Sequence, residues 1–182
     1  ESFAGGRSAR LGAFFRDFRG ALEDLAAQGL APGEPPGEVG VLTPGLLNEV
    51  YFEHAYIARY LGFILLEGED LVVREGRVMV RTVGGLTPVS VLWRRLDSSY
   101  ADPLELDETS RLGTPGMVGA LRRQRLTLVN ALGSGLLETR AMLAFMPRIC
   151  QALRGEALLL PNIATWWCGQ ATEREHVKAN TS

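Results

Sequence analysis

Two apolar, strand-like runs in this chain end in residues able to handle an anion and a cation. Residues 89–93 (Val-Ser-Val-Leu-Trp) run into Arg94, Arg95, Leu96 and Asp97; residues 126–129 run into Asn130 and then Gly133, Ser134 and Gly135. A guanidinium grips a phosphate or carboxylate through a rigid fork of N–H donors. A carboxylate such as Asp97 suits an oxygen-seeking cation such as Mg2+. Side chains alternate along an extended chain, so Arg95 and Asp97 would share one side. A structural ion pair at a strand end is the bland counterpart, and residue types alone leave both open. The Gly133-Ser134-Gly135 turn can cradle a phosphate or simply join a strand to a helix. Position 138 is Glu, so the third glycine of the dinucleotide fingerprint is missing.

A second cluster is Thr43, Pro44, Gly45, Asn48, Glu53 and His54. Its donors and acceptors gather near an expected helix N-terminus, which suits a carboxylate-bearing substrate. With Tyr51, Phe52 and Tyr56 beside it, His54 reads equally as a hydrogen-bonded packing residue. Cys150 and Cys168 have no metal-ligand spacing, with only His54 and His176 to assist them. Free thiols of a reducing cytoplasm are expected. Lys178 is the one lysine among 19 basic residues, and no Gly-rich, Lys-containing phosphate loop is present.

The elements that must position these residues read as follows. Residues 39–42 form a short buried strand, residues 43–45 a turn, residues 47–61 a helix stopped by Gly62, and residues 63–66 a second strand. Strand, helix and strand in so short a stretch predict a βαβ unit with parallel strands. Ligands of such sheets collect beyond the strand carboxyl ends, where Thr43, Gly45 and Glu67 would lie. Residues 71–81 predict a hairpin turning at Glu75-Gly76. Residues 84–88 predict a further turn into the strand at Val89. Residues 97–112 are polar and irregular, and a short helix is expected over 115–125. A longer helix is expected over 138–154, kinked at Pro147 and ended by Gly155. Extended pieces follow at 158–161 and 163–168.

Upstream, Leu11, Phe14, Phe15, Phe18, Leu22 and Leu25 recur at three- and four-residue steps, predicting an amphipathic helix over 8–29 with Gly29 as its stop. Residues 31–38 read as a Pro/Gly linker. The helix either docks on something outside this domain or covers an edge of it. The expected organisation is therefore an N-terminal helix and linker (1–38), an α/β domain (39–168) and a loosely held polar tail (169–182).

A chain of 182 residues, 46% hydrophobic and 22% charged, has the makeup of one globular domain. A net charge of −2 gives no electrostatic reason to expect nucleic acid or an anionic membrane as partner. No apolar run approaches the ~20 residues of a membrane span. The opening residues do not form a signal peptide, and without a starting Met the chain is expected to begin inside a longer one.

Taken in order, several motifs resemble the circularly permuted ATP-grasp proteins of type 2. They are Val41-Leu-Thr-Pro-Gly with Asn48, Tyr51 and His54; Leu66-Glu-Gly-x-Asp70; Arg94-Arg-Leu-Asp97 with Asp102-Pro103; Arg111-Leu-Gly-x-Pro-Gly116; Val129-Asn-Ala-Leu-Gly-Ser-Gly135; and Leu160-Pro with Trp166-Trp-Cys168. The resemblance covers residues 39–168. It implies a pre-ATP-grasp, Rossmann-like α/β fold: a mainly parallel sheet flanked by helices, with one antiparallel hairpin. That family is similar in architecture to glutathionylspermidine synthase, an ATP-dependent carboxylate–amine ligase. The resemblance implies Arg95 as the catalytic group facing the transferred phosphoryl, and Asp97 and Asn130 as metal ligands. Thr43, Gly45, Asn48, Glu53, His54, Gly133, Ser134 and Gly135 are the substrate-binding candidates. It further implies Mg2+ and ATP in the full-length protein, a small-molecule or peptide carboxylate and an amine as substrates, and the remainder of the chain as the ATP-binding half. This segment alone is expected to hold neither nucleotide nor metal and to be inactive. One position departs from the pattern: Leu128 stands two before Asn130, where the resemblance implies a metal-binding Glu. Glu105 is a stand-in from the neighbouring loop. That departure keeps open a second function, a non-catalytic recognition or scaffold module on the same fold.

Overall fold

The computed structural model describes residues 11–28 and 35–180. The chain divides into two compact units, Glu1–Ala131 and Leu132–Ser182.

The first unit is α/β. Its helices are α1 (Gly12–Ala27), α2 (Tyr51–Leu61) and α3 (Met117–Arg122). Its strands are β1 (Glu38–Leu42), β2 (Ile64–Leu66), β3 (Leu71–Arg74), β4 (Arg77–Thr82), β5 (Gly85–Arg94) and β6 (Thr127–Val129). Four strands run parallel in the order β2-β1-β5-β6, with Val41 opposite Leu65 and Trp93, and Trp93 opposite Val129. Val39 to Leu42 are buried throughout, as expected where helices cover both faces of a parallel strand. The first half of β5 instead pairs antiparallel with β4, and β4 with β3. The expected hairpin at Glu75-Gly76 is present and is extended to three strands by β5.

The turn expected over 84–88 falls at Val83-Gly84, and the rest of that stretch is strand. Gly85 to Pro88 pair with Thr82 to Met79. Pro88 lacks an N–H, but the parallel ladder with β1 begins one residue later, at Glu38 and Val89, so that ladder makes no demand on it. Helix α2 starts at Tyr51 rather than near 47. Asn48 Oδ1 accepts the Val50 N–H at 3.0 Å, and the Asn48 N–H donates to Gly45 O. An Asx turn therefore occupies the residues before the helix. Helix α3 is shorter than the 115–125 expected from sequence.

Helix α1 covers the β1/β5 face. Leu22 and Ala26 are buried with Val39 and Val91, flanked by Phe18, Leu25, Phe63 and Val129. The Phe18 ring meets Trp93 edge-on at 5.0 Å, and Phe15 meets Tyr60 of α2 in the same way. Burial of Leu22 alone contributes roughly 2 kcal/mol. Of the two destinations open to this helix, the structure takes its own domain. The proposed stop at Gly29 and residues 31–34 of the linker lie outside the described residues.

Residues 97–116 leave β5 and fold back through one buried carboxylate. Asp102, fully buried, accepts the N–H groups of Leu104, Gly116 and Val118 at 2.9, 3.1 and 2.9 Å. Gly113 lies against the same loop: a Cβ there would sit 2.0 Å from Tyr100 O and 2.5 Å from the Ala101 carbonyl carbon. Only glycine permits that backbone approach. The Thr114 hydroxyl then donates to Gly68 O at 3.1 Å, tying the loop to the exit of β2.

In the second unit the single helix expected over 138–154 is two, α4 (Arg140–Leu143) and α5 (Met146–Arg154), preceded by a 3-10 turn (Ser134–Glu138). Pro147 sits in the first turn of α5 instead of kinking a continuous helix, because only a first-turn residue can forgo its N–H at no cost. Gly155 ends α5 in the left-handed conformation. Residues expected to be a loose tail form α6 (Ala171–Asn180), a helix with no buried side chain. Among the described residues, no helix is long and apolar enough to cross a membrane.

Candidate functional site at the carboxyl rim of the parallel strands

Strand β1 connects through α2 to β2 on one side, and β5 through α3 to β6 on the other. The chain therefore leaves β1 and β5 in opposite directions. Their carboxyl ends border the crevice where open α/β sheets hold ligands. Thr43 leaves β1 at this crevice and Arg95 leaves β5. Their N–H groups continue the ladder, Thr43 to Leu66 O and Arg95 to Leu42 O, each at 2.8 Å.

On the β1 side, Thr43 is fully buried and its Oγ1 lies 2.9 Å from Nδ1 of His54, itself buried on α2. The same oxygen accepts the Gly45 N–H at 3.3 Å. His54 thus pins the turn that ends β1. Gly45 has φ +96°, and a Cβ there would lie 2.6 Å from Glu67 Oε2; a side chain would meet both that carboxylate and a strained backbone. Glu67 and Asp70 cap each other's N–H groups at the exit of β2. Asn48 is spent on the turn before α2, and Glu53 is exposed in the helix's first turn.

Burial pushes the His54 pKa below its ordinary value, Arg95 pushes it further, and Glu53 opposes both. A neutral folded-state His has a definite sign for stability. Above about pH 6.5 neither state binds the proton. Below it the unfolded chain takes up a proton that the folded chain resists, so stability is lost as pH falls toward the folded-state pKa. Denaturant midpoints of the wild-type chain are expected to fall on acidification below about pH 6.5 more steeply than those of His54→Gln. Equal pH slopes for the two would remove this role.

On the β5 side, adjacent arginines have opposite fates. Arg94 is buried; it donates from Nε to Asn130 O at 2.9 Å, from one Nη to Leu96 O, and from the other to Ala131 O at 3.5 Å. Asn130, left-handed at φ +57°, returns a bond from Nδ2 to Arg94 O at 3.3 Å. The ends of β5 and β6 are thereby latched together. Arg95 is exposed, with its guanidinium carbon 5.7 Å from the centre of the Trp93 ring. Leu96 is buried, whereas Arg95 and Asp97 are both exposed. Asp97 Oδ1 accepts the Ser99 N–H and hydroxyl, both at 2.9 Å. These bonds, with Arg94 nearby, hold its carboxyl below the usual range, so it is an anion at neutral pH.

Arg95, Asp97 and Asn130 thus gather at the ends of two neighbouring strands. Gly133, Ser134 and Gly135 belong to the second unit, where Gly133 is left-handed and leads the 3-10 turn. Glu105 forms an ion pair with Arg122 and is engaged there. Leu128 is buried opposite Leu92 in the sheet. Among the described residues, no three His, Cys, Asp or Glu side chains are grouped to hold a metal. One carboxylate and one amide oxygen suit Mg2+ that arrives with a phosphate-bearing substrate, since that ion takes only one or two protein carboxylates in such sites. Sequence reasoning counted Arg94 and Asp102 among the motif residues but assigned neither a role. An Asp before a proline is an Asx-turn signal that would have marked the second.

A family description, circularly permuted ATP-grasp type 2, matches residues 1–182. An uncharacterized Mycobacterium tuberculosis protein, Rv2567, is 47% identical over 144 residues, which is 79% of this chain and 16% of the relative. An uncharacterized Synechocystis protein, sll0335, is 40% identical over 76% of this chain and 29% of its own length. A second M. tuberculosis protein, Rv2411c, also uncharacterized, is 36% identical over 88% of this chain and 29% of its own length. The chain therefore spans less than a third of the length of these relatives. With a match that runs from end to end, and with the parallel sheet and its carboxyl rim as described, the chain belongs to the circularly permuted ATP-grasp type 2 family.

Proposed function

We propose that this chain is the substrate-side and metal-side portion of an ATP-dependent carboxylate–amine ligase, similar in architecture to glutathionylspermidine synthase. One observation supports the reading: an exposed Arg95 and an anionic Asp97 follow the end of β5, and Asn130 follows the end of the neighbouring β6. Arg95 would offset charge on the phosphoryl group passing from ATP to a substrate carboxylate. Asp97 and Asn130 would hold Mg2+, which supplies further neutralisation of phosphate charge when bound. Arg94 and Ser99 contribute by fixing where those two side chains sit. His54 and Thr43 hold the opposite wall of the crevice. The ATP-binding half would come from the rest of the full-length protein, in keeping with the small share of each relative that the chain covers. The substrates are a small-molecule or peptide carboxylate and an amine. The free thiols of Cys150 and Cys168 suit a reducing, cytoplasmic setting.

The test is ADP release by the protein translated from its complete reading frame, supplied with Mg·ATP and panels of carboxylates and amines. Turnover that needs both substrates is expected, with Asp97→Ala and Asn130→Ala each lowering it on the order of a hundred-fold. A second reading, a recognition module without catalysis, is favoured by Leu128, an apolar core residue where a metal-binding Glu is implied. Absence of ADP release with every substrate pair tried, together with wild-type folding, would favour that second reading.

A further inference from the structure

We propose that the cavity between the exits of β1 and β2 binds the dipolar head group of an α-amino acid. The cavity measures about 100 Å3, and its lining includes Thr43, Pro44, Glu67, Glu69, Arg111 and Leu112. Cavities that enclose whole drug-sized ligands run to several hundred Å3, so this one takes a head group and leaves the remainder of a ligand outside. Its walls carry two carboxylates and one guanidinium. Among the described residues none of the three is in an ion pair, and the Arg111 side chain has no hydrogen-bond partner. Opposite charges that share a small cavity without pairing are arranged to be bridged by a ligand carrying both signs.

The walls are held from behind. Glu67 lies against Gly45, where no side chain fits, and accepts the Asp70 N–H. Arg111 belongs to the loop that the Thr114–Gly68 bond fastens to the β2 exit. An ammonium group would sit against Glu67 and Glu69, and a carboxylate would accept the planar fork of Arg111. A phosphate or nucleotide is disfavoured, because two carboxylates would face it. The pocket shares the Thr43 turn with the β1/β5 crevice, and this assignment of substrate class rests on reading that crevice as a ligase's substrate side.

Calorimetry on the full-length protein without nucleotide tests it, with glycine and L-alanine as probes and methylamine, acetate and inorganic phosphate as single-charge controls. Saturable binding of the two amino acids is expected, with each control weaker by roughly tenfold or more. Arg111→Ala, on an exposed side chain, is expected to weaken glycine binding by about tenfold while leaving the melting temperature in place. Glu67→Gln should do the same, with melting checked because that residue also caps a turn. No saturable binding, binding that ignores both substitutions, or acetate or phosphate binding as well as glycine would overturn the proposal. The two readings fail separately. Glycine binding without any ADP release removes the ligase and leaves the pocket; substrate-dependent ADP release unaffected by Arg111→Ala removes the pocket and leaves the ligase.

Discussion

Asp102→Ala is expected to destabilise the first unit by about 4 kcal/mol, among the largest costs of any single substitution in it. Three backbone N–H groups, from Leu104, Gly116 and Val118, converge on this one buried carboxylate. A bond to a charged acceptor contributes roughly 1.5–3 kcal/mol, and three donors that share one carboxylate contribute toward the lower end of that range. Alanine supplies no acceptor, and the 0% exposure of the site keeps water from replacing it. Asp102→Asn separates the contributions. Its carbonyl can keep the Leu104 and Gly116 donors that share Oδ1, while its NH2 faces the Val118 N–H, so roughly half the loss is expected. In thermal melts the alanine variant should fall by ten degrees or more. A shift under about two degrees would mean the loop 97–116 is held by other contacts. Asp97 and Arg111 sit on either side of this node, so loosening it would also blur both candidate binding features.

The βαβ core was legible because its signals are local. Apolar runs at 39–42 and 63–66, a helical stretch between them and Gly62 after it leave few alternatives, and the hairpin at Glu75-Gly76 is marked by its own turn residues. What was not legible depends on partners far along the chain. The apolar face of α1 announces that something covers it, but Val39 and Val91 are named only by the fold. Gly84 to Pro88 carries turn composition, yet Gly85 to Pro88 are strand because β4 is already in place beside them. In the second unit, Pro147 signalled a break. Sequence could not tell a kink from a first-turn position, since the missing N–H is compatible with either.

The candidate site was legible to the level of strand ends and no further. Over residues 89–94 both faces of β5 are buried or half-buried, so the usual alternation of apolar and polar residues does not say which of two adjacent arginines turns inward. The structure turns Arg94 in and Arg95 out. That distinction makes a sharp expectation, because neighbouring residues of one type should fail in different ways.

Arg94→Met is expected to lower stability by about 3 kcal/mol, since the Asn130, Leu96 and Ala131 carbonyls lose a charged donor in a mostly buried setting. Arg94→Lys should recover little of it, because one ammonium cannot span three carbonyls as a planar fork does. Arg95→Ala removes an exposed side chain that stacks over the Trp93 ring, a loss of about 0.5–1 kcal/mol. Its melting temperature should stay close to wild type. Two other readouts should move. The His54 pKa should rise toward its ordinary value, because a positive charge that opposes protonation is gone, and NMR of the imidazole would report this. ADP release by the full-length protein should drop on the order of a hundred-fold or more, as for loss of a charge that faces a transferred phosphoryl. The pair of outcomes discriminates. If Arg95→Ala shifts the His54 titration yet keeps full turnover, Arg95 lies in the crevice without serving the reaction. If Arg94→Met keeps wild-type stability, the latch between β5 and β6 is not what fixes Asn130.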